Sequence, residues 1–189
     1  MEEMLRQHIE KVVRLSDEEY SFVRQHFSIK DCKKGGLLIE KNAPARYAYL
    51  VITGLLKLVY HDKTGREHII SFAMEDWWES DYPAWLSRQP ASLSLVCIED
   101  TQVYCLSLDS YQTICSGLHK MEHFFLHKAN RGHLASQDRI LSFLTSTPRE
   151  RYELLLQKQP ALMQRVPKTL LAAYLGVSRE TLSRLWRNS

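Results

Sequence analysis

The stretch 168-KTLLAAYLGVSRETLSRLWR-187 carries most of the information about architecture in this chain. Pro167 stands just before it, at a helix start where a missing N–H costs little. Leu171 and Leu175 share one helical face, and Ala172 is small enough to let a second helix come close. Gly176 can take the positive φ that a tight turn demands. Val177 plugs the corner, and Ser178 is a good N-cap for a second helix. Leu182 and Leu185 then return that helix to the core. The pattern predicts a helix-turn-helix, two short helices crossed through a tight turn.

Burial of those leucines leaves Arg179, Glu180, Ser183, Arg184 and Arg187 on the outer face of the second helix. Arginine can donate two hydrogen bonds to guanine, and glutamate can accept from the cytosine amino group. An acid among arginines adds nothing to a purely phosphate-binding surface, so the face is expected to read bases in double-stranded DNA. Lys168, Thr169 and Ser178 complete the expected contact set at the helix starts. From Arg165 onward five cations stand against the single Glu180, a net +4, whereas the chain as a whole carries +3. The preceding 164 residues therefore carry −1, and the basic end points toward a polyanion.

Working back toward the N-terminus, Thr147-Pro148 marks a break, a helix is expected over 149–157, and Pro160 is expected to stop it. Residues 117–145 contain neither proline nor a turn cluster. Leu118, Met121, Phe125, Gly132, Ile140 and Phe143, with Phe124 and Leu144, repeat at roughly three and four, which predicts one long helix of about 40 Å. Such a helix is too long to bury against a small domain, so part of its apolar stripe is expected to meet a second copy.

Between about residues 28 and 108 the texture is different. The β-branched and aromatic runs 47–53, 55–60, 68–72 and 93–98 are separated by Gly35-Gly36, Asn42 to Pro44, Gly54 and the hairpin signal Asp62 to Gly65. Many short strands at even spacing predict a β-roll or small barrel. Ahead of them, Ser16-Asp17-Glu18-Glu19 reads as a capped helix start. The expected organisation is α+β: a jelly-roll-like β-roll sensor with N-terminal helices (1–116), a long dimerisation helix (117–145) and a small helix-turn-helix domain (146–189).

The 189 residues are 44% hydrophobic, ordinary for a globular chain, and no run approaches the ~18 apolar residues of a membrane span. The first fifteen residues lack a signal-peptide core, so a cytoplasmic location and no membrane partner are expected. Cys32, Cys97, Cys105 and Cys115 form no C-x-x-C pair and read as reduced, mostly buried thiols. Paired carboxylates with a partner motif, Gly-x-Ser-x-Gly, a P-loop and a cupin metal box are all missing from the sequence, so no enzyme is expected.

The segment Leu175 to Arg184 closely resembles the recognition motif of the Crp/Fnr family of bacterial transcription regulators. Lys33-Lys34-Gly35, the run 49–58 with Gly54, and Gly65-Arg66-Glu67 extend the resemblance through the roll. It implies a cyclic-nucleotide-binding-like roll, a homodimer formed through the long helix, and base contacts by Arg179, Glu180 and Arg184. The site would be pseudo-palindromic, and RNA polymerase would be a further partner. With so little chain after the second helix, a wing would have to come from residues 164–166.

The chain departs from the family members that bind cyclic AMP. Those carry Gly-Glu in the phosphate turn and Arg-Ser or Arg-Thr about ten residues on. Here the turn is Asp76-Trp77-Trp78-Glu79-Ser80, with Trp78 in the glycine's place, and the later pair is Ala91-Ser92. The neutralising arginine is missing; Arg88 lies nearby but out of register. Trp78, Glu79, Tyr82, Arg88 and Ser92 are the candidate effector residues, no cofactor is expected, and the effector is unknown. Trp77, Trp78, Tyr82 and Trp85 read either as core packing or as an apolar pocket. His119, His123 and His127, with His133 beyond, share a helix face and read as a polar stripe or as weak metal candidates. The rival to a DNA regulator is a small-molecule- or metal-binding roll whose terminal hairpin contacts another protein.

Overall fold

The computed structural model describes residues 2–187; of Glu2 and of residues 185–187 it describes the backbone alone. Two helices open the chain, α1 (Glu2–Glu10) and α2 (Asp17–Arg24). The expected cap is present in full. The Ser16 hydroxyl accepts from the Glu19 N–H, and the Glu19 carboxylate accepts from the Ser16 N–H.

Eight strands follow among the described residues: β1 (Phe27–Cys32), β2 (Leu37–Ile39), β3 (Tyr47–Thr53), β4 (Leu56–His61), β5 (Glu67–Ala73), β6 (Trp78–Glu79), β7 (Ser94–Cys97) and β8 (Thr101–Ser107). They pair antiparallel into two four-stranded sheets of order β1-β8-β3-β6 and β2-β7-β4-β5, the jelly-roll-like arrangement. Strand β3 shows why the sequence sits as it does. Tyr49 and Val51 face the core between the sheets, while Leu50 and Ile52 face the one beneath the N-terminal helices. Period-two alternation between two apolar surroundings makes the run hydrophobic throughout. The predicted hairpin joins β4 to β5: Asp62 accepts from the Thr64 and Arg66 N–H groups, and Gly65 turns the chain at φ +81°.

A six-residue helix, α3 (Tyr82–Ser87), lies between β6 and β7. After the roll come α4 (Leu108–Gly117), α5 (His119–Thr145), α6 (Pro148–Lys158), α7 (Pro160–Arg165), α8 (Lys168–Leu175) and α9 (Arg179–Arg187). The four cysteines are free thiols; Cys97 and Cys105 are buried, Cys32 and Cys115 half-buried.

Two expectations, the start of the long helix and the wing, need correcting. The long helix begins at His119 rather than 117, because Leu118 takes extended dihedrals (φ −147°, ψ 99°) and separates it from α4. The helix before Pro160 stops as expected, α6 ending at Lys158, and Pro160 also opens α7, since proline fits the first turn of a helix. Residues 164–166 supply no wing: Gln164 and Arg165 are helical and Val166 is buried. The apolar stripe of α5 divides, in keeping with a helix too long to bury along its whole length. Met121 and Phe124 are fully buried under α1 and β3, while Leu126, Leu134, Ile140, Leu141 and Leu144 stand outside.

A third apolar cluster joins the roll to the C-terminal helices. Leu55, Val59, Ile69, Phe72 and Ile98 of the roll pack with Leu155, Leu162, Met163, Val166, Leu171 and Leu182 of the C-terminal helices. Val59 faces this cluster together with Leu55 by period-two alternation, opposite Leu56 and Leu58; the register shift lies in β5, where the extra Ile70 lets Ile69 and Phe72, three positions apart, share that face. At about 1.5–3 kcal/mol per fully buried aliphatic side chain, this cluster holds the C-terminal helices onto the roll.

Candidate functional site

The helix pair α8–α9 is built as its residues require. Gly176 caps α8 in the left-handed region (φ +70°, ψ 35°), and the Val177 N–H returns to the Ala172 carbonyl at 3.0 Å. A Cβ at Gly176 would lie 2.9 Å from the Phe143 ring, so glycine answers both the dihedral and the space. The Ser178 hydroxyl accepts from the Thr181 N–H at 3.1 Å and starts α9. Leu171, Ala172, Leu175 and Leu182 are buried.

That burial leaves Arg179, Glu180 and Arg184 exposed and Ser183 half-buried, around a shallow depression of about 360 Å³. Lys168 and Thr169 are exposed at the start of α8. The Glu180 carboxyl is held below its ordinary range, first by its own backbone N–H and then by the Ser178 hydroxyl, so it presents a formal negative charge. Arg184 reaches the Thr181 hydroxyl only at 3.4 Å. The Arg187 side chain lies outside the described residues, as does that of Leu185.

Two arginines from other helices secure the C-terminal end of α8, where carbonyls lack helical partners. Arg139 donates to the Tyr174 carbonyl (3.1 Å) and stacks 3.7 Å over the Tyr174 ring. Arg151 donates to the Leu175 carbonyl (3.1 Å). The Phe143 ring lies 4.8 Å from each guanidinium. The pair is thus tied to α5 and α6 by its ends while its outer face stays open.

In the roll the candidate effector residues are not gathered around an open site. Glu79 is buried, accepts from the Ser71 hydroxyl (2.5 Å) and from the Ser80 N–H (3.0 Å), and burial pushes its carboxyl up to about 7. The Trp78 indole donates to His8 Nε2 at 2.9 Å. Because an indole N–H can only donate, His8 carries its proton on Nδ1 and gives it to Asp76. Burial pushes the His8 pKa down to about 4, so the ring is neutral. Arg88 points outward to Asp109, at 2.5 Å. Tyr82 is partly exposed, and Trp85 is buried against Tyr111.

One residue that sequence reasoning missed organises this region. Asp81 caps α3 through the Ala84 N–H and is only 1% exposed. Its other carboxylate oxygen accepts from the Ser92 N–H (2.8 Å), the Ser92 hydroxyl (3.1 Å) and the Leu93 N–H (3.0 Å). Three donors converge on one anionic oxygen inside the protein. The available signal was Asp81 ahead of Tyr82-Pro83, an N-cap pattern. His8 and Asp76, 68 positions apart, gave none.

On α5, His119 pairs with Glu122 at 2.9 Å, and His123, His127 and His133 are exposed. Among the described residues no three His, Cys, Asp or Glu side chains stand close enough to hold a metal. No described helix is long and apolar enough to cross a membrane.

Residues 29–117 match the cyclic nucleotide-binding domain family. No curated protein matches the chain. Among solved structures, FixK2 from Bradyrhizobium japonicum is similar at 19% identity and a TM-score of 0.74, over 86% of this chain and 83% of its own. A transcriptional regulator of the Crp/Fnr family from Eubacterium rectale is similar at 16% identity and 0.68, over 92% and 83%. The Catabolite Activator Protein of Thermus thermophilus is similar at 23% and 0.58, over 92% and 83%. Residues 29–117 are thus similar to the cyclic nucleotide-binding domain family, and the chain as a whole shares its fold with these structures.

Proposed function

We propose that this chain is a sequence-specific DNA-binding transcription regulator, acting as a homodimer on inverted repeats and not controlled by cyclic AMP. The observation that carries the reading is the outer face of α9. Arg179, Glu180 and Arg184 project from a helix whose other side is locked into the core by Leu182. Side chains so placed can reach base edges when the helix enters a major groove, with Lys168 and Thr169 beside the phosphates. The similar structures of known name include an activator and a regulator, which agrees with this role.

Dimerisation is supported by α5. Leu126, Leu134, Ile140 and Leu141 are each about 60% exposed and Leu144 is 78% exposed, along a helix of 27 residues. An apolar run of that length favours burial against a second copy. Two α9 helices about one helical turn apart, ~34 Å, would then meet successive grooves.

Independence from cyclic AMP is supported by Asp81. A cyclic phosphate needs donors and a positive partner. Here the donors of Ser92 and Leu93 already serve a carboxylate, Ala91 is buried where the resemblance would have an arginine, and Arg88 is turned to Asp109. An incoming phosphate would face Asp81 and be repelled. Nothing in the proposed role requires catalysis.

The test is selection of binding sites from random duplex DNA by the purified protein without added ligand. The expected result is an enriched inverted repeat with half-sites about 10 base pairs apart. Enrichment of nothing, both alone and with cell extract, would sink the reading.

A further inference from the structure

Arg165 is the last residue of α7, two positions before Pro167 and the helix pair. Its guanidinium makes five contacts, three of them shared by the two hydrogens of Nη2. Nε donates to Glu99 (3.2 Å) and Nη1 to Glu75 (2.5 Å); Nη2 donates to the Gly54 carbonyl (2.9 Å), Glu75 (3.1 Å) and Glu99 (2.6 Å). The acceptors come from three separate turns of the roll: β3–β4 at Gly54, β5–β6 at Glu75 and β7–β8 at Glu99.

These turns are assembled to receive it. The Gly54 N–H donates to Glu75 at 2.9 Å. Gly54 adopts φ +107°, and a Cβ there would fall 2.4 Å from the Thr101 hydroxyl, so only glycine lets the β3–β4 turn come this close. The Arg165 charge, which the sequence adds to a basic tail, is thus committed to two carboxylates and faces the roll. Leu162, Met163 and Val166 pack beside it on Leu55 and Ile98. Apolar packing alone would keep the helices on the roll but would not fix their direction, because it is non-directional. A planar five-donor fork fixes direction.

We propose that Arg165 is a positioning residue: by clamping α7 to three turns of the roll, it sets the direction in which α8–α9 is offered and so the half-site spacing that the dimer accepts. The inference rests on the DNA-binding reading above. Lysine keeps the charge but not the fork, so Arg165→Lys should leave contact with one half-site intact and loosen the geometry between two. Glu99→Gln, which leaves Arg165 neutralised by Glu75, is the milder second variant.

The experiment has two arms, both on the full chain. In the first, without DNA, amide hydrogen exchange is followed. Arg165→Lys should speed exchange at Gly54 by about tenfold or more while Leu50 and Val103 in the strands hold their protection. In the second, the selected repeat is varied in single-base-pair steps around one helical turn, beside a single half-site duplex. Wild type should lose about tenfold per step off its optimum, and Arg165→Lys less than about threefold, with equal half-site affinity. Glu99→Gln should fall between and speaks for the clamp if the lysine variant fails to fold. Unchanged Gly54 exchange overturns the clamp. Faster exchange with wild-type spacing discrimination, or with half-site binding lost, overturns the positioning role. Faster exchange in a protein whose wild type binds no duplex overturns the DNA reading and, with it, the spacing claim.

Discussion

The interior of the roll and the outer face of α9 handle polar groups in opposite ways. In the roll, Asp81 serves three donors of Ser92 and Leu93, Glu79 serves Ser71 and Ser80, and His8 joins Asp76 to Trp78. On α9, Arg179, Glu180 and Arg184 are exposed, and the Arg184 guanidinium has only a long contact to its own helix. A buried polar group costs free energy unless it is paired, so the roll closes on itself. An exposed arginine keeps its donors for something else. On the function proposed above, α9 rather than the roll is the place to seek a ligand.

Asp81→Ala should break the roll's side of that comparison most severely. It strips a buried capping carboxylate and leaves four donors, the Ala84, Ser92 and Leu93 N–H groups and the Ser92 hydroxyl, without their acceptor, at a cost of about 3 kcal/mol or more. In a chain of this length that is a fall in Tm of roughly 10 °C. Acetate should then raise the variant's Tm more than it raises that of wild type, because a small carboxylate can enter the vacated seat. Equal response to acetate and chloride would mean that Asp81 acts only as the cap of α3, and that no anion seat exists.

Arg184→Ala should break the other side by less. Loss of a bidentate base contact costs about 1–3 kcal/mol, roughly 10- to 100-fold, at one base position of the selected site. Lys168→Ala should weaken specific and random duplexes alike and lower the salt slope by about one. Competition binding at two salt concentrations reads both. Equal loss on specific and random DNA in the Arg184 variant would remove its base-reading role.

The helix pair was legible in the sequence because every determinant is local. Gly176, Ser178 and the leucine spacing lie within twenty residues and need no partner to be read. The roll was legible only as a texture. Strands β3, β4, β5 and β7 stood out as β-branched runs to within a residue or two, but β1 and β8 did not. β1 (FSIKDC) is exposed over most of its length, so its hydrophobic signal is weak. The α5 stripe was legible as a stripe, but not where it divides. Its first turns pack under α1, its later turns face outward, and periodicity alone cannot say which partner a face has. Arg165, Asp81 and His8 act through residues 11 to 111 positions away, and pairings at such distances leave no trace in local pattern.

The finest test of the internally paired roll is its pH dependence, because two of its groups titrate in opposite senses. His8 has a folded pKa of about 4 against an ordinary 6.5, so the unfolded chain binds its proton first. Its contribution is complete above pH 6.5 and is lost as pH falls toward 4. Glu79 has a folded pKa of about 7 against an ordinary 4.5, so the folded protein holds its proton longer. Its contribution is complete below pH 4.5 and is lost as pH rises toward 7. Over pH 5 to 6.5 each amounts to roughly 2 kcal/mol, and they nearly cancel. Urea unfolding of the wild type should therefore vary by less than about 1 kcal/mol across that window. Glu79→Gln removes the falling arm and exposes the rising one, so the variant should gain about 2 kcal/mol from pH 5 to 6.5. Parallel curves for variant and wild type would mean that Glu79 is ionised throughout. The charge of the carboxylate would then be balanced within the roll by something other than a proton.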